Sequence, residues 1–189
     1  MVTHKKNGFV VLGILLLLII SGCAPAIFDA VRVGDVDKAE NLLANEPKQI
    51  NATDDRGATP LHSASIRGYK EVVVLLIAKG ADVNAIDIDG NTPLHSVTMA
   101  VGGFYRKDHK EIAELLIANG ADINVKNNKG RRTPLHFAAV ANNKEMVELF
   151  LANGANVYAK DQWGKTPLYW ARSKGYEDVV ELLREYRRK

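Results

Sequence analysis

One four-residue block recurs through this chain and constrains its fold more than any other feature. The block Thr-Pro-Leu-His occupies residues 59–62, 92–95 and 133–136, and residues 166–169 read Thr-Pro-Leu-Tyr. The first and last intervals are 33 residues long and the middle interval is 41. Self-similarity at such a spacing is the signature of a repeat array. The sequence therefore predicts a solenoid, in which each unit buries its apolar side chains against its neighbours.

Each block is expected to start a helix. The Thr hydroxyl can accept a hydrogen bond from a free backbone N–H, and Pro fits the first helical position because its φ is already set. In the first full unit, a short helix over about 61–66 is followed by a reversal at Arg67-Gly68 and a second helix over about 70–78. Gly80 ends that helix, and an Asp-rich turn leads to the next block. One unit is thus two antiparallel helices and a projecting turn, called a finger below.

Three short patterns in fixed order carry a family resemblance. They are Asp-x-x-Gly-x-Thr-Pro-Leu-His, Gly-x-x-x-Val-Val-x-Leu-Leu and Gly-Ala-Asp-Val-Asn, and together they resemble the ankyrin repeat. The resemblance covers residues 27–189. It implies an all-α repeat solenoid of stacked helix-turn-helix units with β-hairpin fingers, and a concave surface that usually binds other proteins. The expected units are a cap at 27–53 and repeats at 54–86, 87–126, 127–160 and 161–189.

The 41-residue interval indicates two insertions. Thirteen residues separate His62 from Leu75, but twenty separate His95 from Leu115, so seven extra residues are expected near 100–107. The eighth lies in a finger, where Gly130-Arg131-Arg132 precedes Thr133. Both insertions fall in connections, so neither is expected to break the stack.

The first 26 residues do not share the repeat pattern. Residues 1–22 place His4, Lys5 and Lys6 before an apolar run that is short for a membrane span but suits a secretory signal. The ending Ser21-Gly22-Cys23 resembles the bacterial lipobox. This resemblance implies cleavage before Cys23, a lipid on Cys23 and a short tether over 23–26. The expected location is the envelope, at the outer membrane and facing the periplasm; the alternative is an uncleaved signal anchor in the cell membrane.

Charge and cysteine usage limit the possible partners. Cys23 is the single Cys of the chain, which agrees with export and leaves no disulfide. Removal of residues 1–22 leaves 23 basic and 22 acidic side chains. This balance gives no reason to expect nucleic acid or another polyanion as partner. The prediction is a monomer that binds one or more envelope proteins and the membrane, the latter through its lipid.

No pattern in the sequence indicates catalysis or a cofactor. Equivalent His residues of neighbouring repeats lie about 8–10 Å apart, too far for one metal ion with bonds of about 2 Å. We therefore expect His62, His95 and His136 to form hydrogen bonds within and between repeats, with protonation disfavoured by burial. The Asp-x-x-Gly turns are too short for an EF-hand loop. No phosphate-binding loop or nucleophile–base set is present, so the chain is predicted not to be an enzyme.

Candidate partner-binding residues follow from position in the repeat. The finger candidates are Arg56, Asp89, Lys129, Arg131, Trp163 and Lys165. The candidates at the ends of first helices are Ile66, Arg67, Val140, Ala141, Ser173 and Lys174, and those in the insertion are Phe104 and Tyr105. Trp163 is either a binding anchor or packs against Lys160 or the next helix. Trp170 is expected near the concave side or between repeats, with packing in the core favoured.

The predicted function is a non-catalytic protein-binding module that uses its concave face and finger tips. It would serve as a scaffold or protective partner for an envelope enzyme. One alternative is an inhibitor or immunity protein that neutralises a toxin in the same compartment. Another is a ligand-binding or enzymatic role in a pocket beneath Gly102-Gly103.

Overall fold

The computed structural model describes residues 25–99 and 107–188 of the 189-residue chain. These residues form ten α-helices that pair in chain order into five units. The first helices of the units are α1 (Ile27–Val33), α3 (Pro60–Arg67), α5 (Pro93–Thr98), α7 (Pro134–Val140) and α9 (Pro167–Ser173). The second helices are α2 (Val36–Asn45), α4 (Lys70–Ala78), α6 (Lys107–Ala118), α8 (Lys144–Ala152) and α10 (Glu177–Tyr186). A short 3-10 helix, Pro47–Asn51, follows α2 in the cap unit.

The units stack in two layers. Each first helix packs on the first helix of the next unit, and each second helix packs on the next second helix. Turns between paired helices are tight, as at Gly68, where φ is +74°. The predicted repeat solenoid is therefore confirmed.

The Thr-Pro-Leu-His blocks build the starts of the first helices as expected. Thr59 is extended and caps α3, with Pro60 at the first helical position. The backbone N–H of Thr59 donates to Nδ1 of His62 at 3.1 Å. The same bond forms from Thr92 to His95 at 3.2 Å. The histidine ring thus satisfies a backbone group that a helix N-terminus would otherwise leave free.

The other ring nitrogen of each His reaches the next unit. Nε2 of His62 donates to the carbonyl oxygen of Asn91 at 2.9 Å. His95 donates to Arg132 and His136 to Lys165, each at 3.1 Å. The predicted hydrogen bonds within and between repeats are confirmed.

Leu, Val, Ile and Ala side chains from both layers, with Phe28 and Phe150, fill one continuous core. Leu61 and Leu94 of the first helices are fully buried, as are Leu76, Leu116 and Phe150 of the second helices. The core extends from α1 to α10 without a break. Complete burial of one such side chain contributes about 1.5–3 kcal/mol. Stability in this stack therefore depends on contacts between neighbouring units.

The fingers are closed turns along one edge of the stack. We number them finger 1 (54–58), finger 2 (87–91), finger 3 (127–132) and finger 4 (161–165). In finger 1 the N–H of Asp54 donates to the carbonyl of Ala58 at 3.0 Å. Equivalent bonds close the other three. No residue among 25–99 and 107–188 is assigned to a β-strand, so the fingers are hairpin-like turns without a regular β-ladder.

Backbone bonds join each finger to the next. Ile88 donates to Arg56 at 2.9 Å, Asn128 to Asp89 at 2.8 Å and Gln162 to Gly130 at 2.8 Å. Asparagine side chains add a second line of bonds below the fingers. Oδ1 of Asn51, Asn84 and Asn124 accepts from the backbone of Asp82, Asp122 and Asn156 at 2.8–2.9 Å. Neighbouring units are thereby held in fixed register.

The eighth inserted residue is accommodated in finger 3. Its closing bond joins Asn127 to Arg132, so it spans one residue more than the bond in any other finger. Arg131 takes the extra position with φ at +54°, a left-handed conformation that is uncommon for a side-chain-bearing residue. The seven other inserted residues and the predicted signal segment lie outside the described residues. Among the helices that are described, none has the length and apolar character to cross a membrane.

Candidate binding groove

A groove runs between the fingers and the first helices on the concave side of the stack. Its volume is about 680 Å³. The fingers supply Asp54, Arg56, Ala58, Asp87, Asp89, Asn91, Asn127, Lys129, Arg132 and Trp163 to its lining. The α3, α5 and α7 region supplies His62, Ser63, Ile66, Arg67, Ser96, Met99 and Phe137. The groove therefore follows the surface that the resemblance assigned to partner binding.

The structure separates the predicted site residues into three groups. Six of them line the groove, namely Arg56, Ile66, Arg67, Asp89, Lys129 and Trp163. Six others are not among its lining residues, namely Arg131, Val140, Ala141, Lys165, Ser173 and Lys174. Phe104, Tyr105 and the predicted lipidation site Cys23 lie outside the described residues.

The end of the groove at fingers 1 and 2 is rich in carboxylates. Oδ1 of Asp54 accepts from the backbone N–H groups of Arg56 and Ala58, each at 2.9 Å. Asp87 holds finger 2 by the same kind of bonds, from Asp89 and Asn91. Asp89 also forms an ion pair with Arg56 across the fingers at 3.4 Å. Two of the three carboxylates thus fix the turns, and with Arg56 and Arg67 in the same lining the three carboxylates leave this end with a formal charge of −1.

The end at fingers 3 and 4 is aromatic and cationic. The guanidinium carbon of Arg132 lies 4.5 Å from the ring centroid of Trp170 and 5.4 Å from that of Trp163. The two indoles meet edge to face at 6.3 Å. Attraction between a cation and an aromatic face contributes about 0.5–2 kcal/mol. Arg132 is therefore held in the corner that the two rings form.

Asp161 lies beneath this corner and is fully buried at its side chain. Its Oδ1 accepts from the backbone of Trp163 at 2.9 Å and of Lys165 at 2.8 Å. Its Oδ2 accepts from the indole N–H of Trp170 at 2.9 Å. Burial alone would raise the pKa of Asp161, but these hydrogen bonds outweigh burial and hold the pKa below its ordinary value. The carboxylate therefore stays ionised next to Arg132.

The structure places both tryptophans next to Arg132. Trp170 is only half-buried and lies on the concave side, because Asp161 binds its indole N–H. Core packing, which was favoured for Trp170 over a place near the concave side, was wrong. Trp163 contacts Trp170 of α9, the helix that follows finger 4, as the packing alternative predicted, and it also lies against Arg132. It remains 57 % exposed, so much of its ring is open to a partner.

Arg132 is the residue of this cluster that the sequence reasoning did not select. The candidates selected in finger 3 were Lys129 and Arg131, but Arg131 is exposed and does not line the groove. The distinguishing signal is position: Arg132 directly precedes Thr133, as Ala58 and Asn91 precede their Thr residues. Alignment of the fingers on Thr would have placed the extra residue at Arg131.

The repeated histidines have a structural role, and their pKa values are lower than that of a free histidine. Burial lowers the pKa of His62 and His136, and it lowers the pKa of His95 to about 4. The predicted suppression of protonation is confirmed. Within 25–99 and 107–188, no group of three His, Cys, Asp or Glu side chains is arranged to hold a metal ion.

Comparison with known proteins identifies the repeat. The family described as "Ankyrin repeats (3 copies)" matches residues 27–127 and 99–189. The chain belongs to the ankyrin repeat family. Ankyrin repeats support a role for this ankyrin repeat protein in protein–protein interaction.

Individual relatives match only short stretches of the ankyrin repeat chain. Palmitoyltransferase akr1 of Schizosaccharomyces pombe is 37 % identical over 57 residues, which is 30 % of this chain and 9 % of the relative. Ankyrin repeat and SAM domain-containing protein 6 of Mus musculus is 34 % identical over 58 residues, or 31 % of this chain and 7 % of the relative. The chain thus spans less than a tenth of either relative, and these matches concern the repeat alone.

Proposed function

We propose that this ankyrin repeat protein is a non-catalytic binding module that seats a protein partner in the concave groove and is tethered by lipid at Cys23 in the bacterial envelope. The single observation that carries the binding proposal is the groove itself. It is continuous across four fingers and combines apolar floor residues, such as Ile66, Met99 and Phe137, with charged walls. Buried apolar centres with polar rims are typical of protein interfaces.

The rigidity of the fingers supports this proposal. Each finger is closed by its own backbone bond and joined to its neighbours by others. The asparagine bonds fix the register of the units behind them. A surface that is already ordered loses little conformational entropy when a partner binds. Most of the free energy gained from contacts in the groove would therefore contribute to affinity, because little of it is spent on ordering the surface.

A substitution that fills the groove with a larger side chain tests the binding proposal. Ser63 lines the groove and occupies the repeat position that Trp170 holds in the last unit, so Ser63→Trp should fold while it fills the groove. Val74→Trp places the same new ring on the outer helix α4, where Val74 is 45 % exposed. Affinity capture from envelope extracts should retain a partner with the wild type and Val74→Trp, and lose it with Ser63→Trp. Equal retention by all three proteins would show that the partner binds elsewhere.

The tether is tested separately by mass spectrometry of the protein purified from bacterial membranes. The proposal requires a mature chain that begins at a diacylglyceryl-modified, acylated Cys23. Cys23→Ala should remain unprocessed and lose the lipid mass. A wild-type chain that retains Met1 would refute lipidation and favour the uncleaved anchor. The identity of the captured partner then distinguishes an envelope enzyme from a toxin.

A further inference from the structure

We propose that Arg132, held against Trp163 and Trp170, is the receptor for a carboxylate side chain on an extended segment of the partner. This inference rests on the proposed function and specifies the partner chemistry that the groove selects. The segment carries an acidic residue at fingers 3 and 4 and a basic residue toward fingers 1 and 2.

The hydrogen-bonding state of Arg132 points to a missing acceptor. Its Nε is buried and has no hydrogen-bond partner among the described residues. Nε forms a long ion pair with Oδ2 of Asp161 at 3.8 Å, which is beyond hydrogen-bond distance, and that oxygen already accepts from Trp170. No described hydrogen bond uses the two terminal nitrogens of Arg132, and these are the donors open to an arriving carboxylate, since Nε is buried. A guanidinium presents its donors as a planar fork, and a carboxylate matches that fork with two parallel bonds.

The surroundings of Arg132 prepare it for this role. The two indoles fix the guanidinium in place, and its side chain is only 22 % exposed. A fixed side chain loses little rotamer entropy on binding, and partial exclusion of water strengthens a charged hydrogen bond. The exposed face of Trp163 offers apolar contact to the carbon atoms of the arriving residue. Arg and Trp side chains of this kind are frequent binding anchors.

Charge along the groove sets the direction of the segment. Lys129 and Arg132 line the groove at finger 3. The end at fingers 1 and 2 holds three carboxylates and the guanidinium groups of Arg56 and Arg67, so its formal charge is −1. Fingers 1 and 3 are two repeats apart, or about 20 Å at the usual helix spacing. An extended chain covers that distance in about six residues. The acidic and basic residues of the partner are therefore about five or six positions apart.

A peptide selection tests the inference. A displayed library of random peptides of about twelve residues is selected on the full chain in detergent micelles and, in parallel, on Arg132→Gln and Arg131→Gln. The two variants remove the same charge from adjacent residues, but only Arg132 lines the groove. Circular dichroism checks that both variants keep the helical content of the wild type.

The expected result is enrichment of Asp or Glu in peptides selected on the wild type and on Arg131→Gln, with loss of that enrichment on Arg132→Gln. Selected peptides should bind Arg132→Gln about tenfold or more weakly, as expected when a charged hydrogen bond is removed. They should also change tryptophan emission, because the two tryptophans of the chain both contact Arg132.

Failure of the inference and failure of the proposed function look different. Selected peptides without acidic residues, or with equal affinity for the wild type and Arg132→Gln, would overturn the carboxylate proposal. If Ser63→Trp still abolished their binding, the groove would remain the binding site. If the enrichment of Asp and Glu were lost on both Arg variants, the preference for acidic peptides would come from the general basic charge of finger 3. This outcome would also overturn the proposal. Peptides unaffected by Ser63→Trp would contradict the proposed function itself.

Discussion

Acid should destabilise this stack through the buried histidines, and His95 gives the clearest test. Its Nδ1 accepts from the backbone N–H of Thr92 at 3.2 Å, and its Nε2 donates to the carbonyl of Arg132 at 3.1 Å. A second proton would have to sit on Nδ1, where it would oppose the Thr92 N–H. Burial lowers the pKa of His95 from 6.5 to about 4, and this outweighs the opposing effects of the Arg132 carbonyl and Asp87.

The magnitude follows from proton linkage. In the pH range between the two pKa values, the unfolded chain binds a proton at residue 95 that the folded chain does not, so the free energy of unfolding falls as pH falls from about 6.5 to about 4. A shift of about 2.5 units corresponds to roughly 3.4 kcal/mol in full. About 2.5 kcal/mol of this should be lost between pH 7 and pH 4.5. His62 and His136 act in the same direction.

The assay is urea unfolding followed by far-ultraviolet circular dichroism at pH 7 and pH 4.5. His95→Gln removes the titrating group and should lower the stability at pH 7 by about 1–2 kcal/mol, because hydrogen bonds are lost. Its stability should then fall by about 2.5 kcal/mol less than that of the wild type on acidification. This difference is equivalent to a midpoint change of about 1 M urea. An equal loss in both proteins would refute the assignment to His95.

Two further predictions concern the turn at Gly68 and the aromatic end of the groove. Gly68→Ala should lower the free energy of unfolding by more than about 2–3 kcal/mol, because φ is +74° and a Cβ would meet the ring of His109 at 2.7 Å. Gly175 has the same φ, but a Cβ there would meet nothing within 4 Å, so Gly175→Ala should lower it by about 1 kcal/mol. Thermal or urea denaturation compares the two. Trp170→Phe should cost about 1–2 kcal/mol and raise the pKa of Asp161, measured by NMR titration, since it removes the indole donor; an unchanged pKa would contradict this.

The fold could be predicted from the sequence because the same residue pattern, with the same local structure, recurs in several units. The second helix of the first full repeat was expected over about 70–78 and is found at Lys70–Ala78. The histidine bonds were also predictable, since an identical residue at an identical position in several units indicates a role in the scaffold.

The details of the groove were less predictable because they depend on side chains that differ between units. Ser63, Ser96, Phe137 and Trp170 occupy one repeat position, so its function changes along the stack. Trp170 would satisfy a core position by its size alone, but the partner of its indole N–H is Asp161, which holds the ring on the concave side. Such a contact between a finger and a helix depends on packing in three dimensions and cannot be predicted from the periodicity of the sequence.

The extra residue in finger 3 shows how such a protein can acquire new specificity. The backbone bonds that join finger 3 to fingers 2 and 4 involve Asn128, Lys129 and Gly130, which all precede the inserted Arg131. The turn can therefore lengthen without displacing either neighbouring finger, while Arg132 keeps its place before Thr133. The inserted residue, Arg131, takes part in none of these bonds. Natural variation can consequently alter recognition by adding a residue to a turn, without any change to a packed side chain.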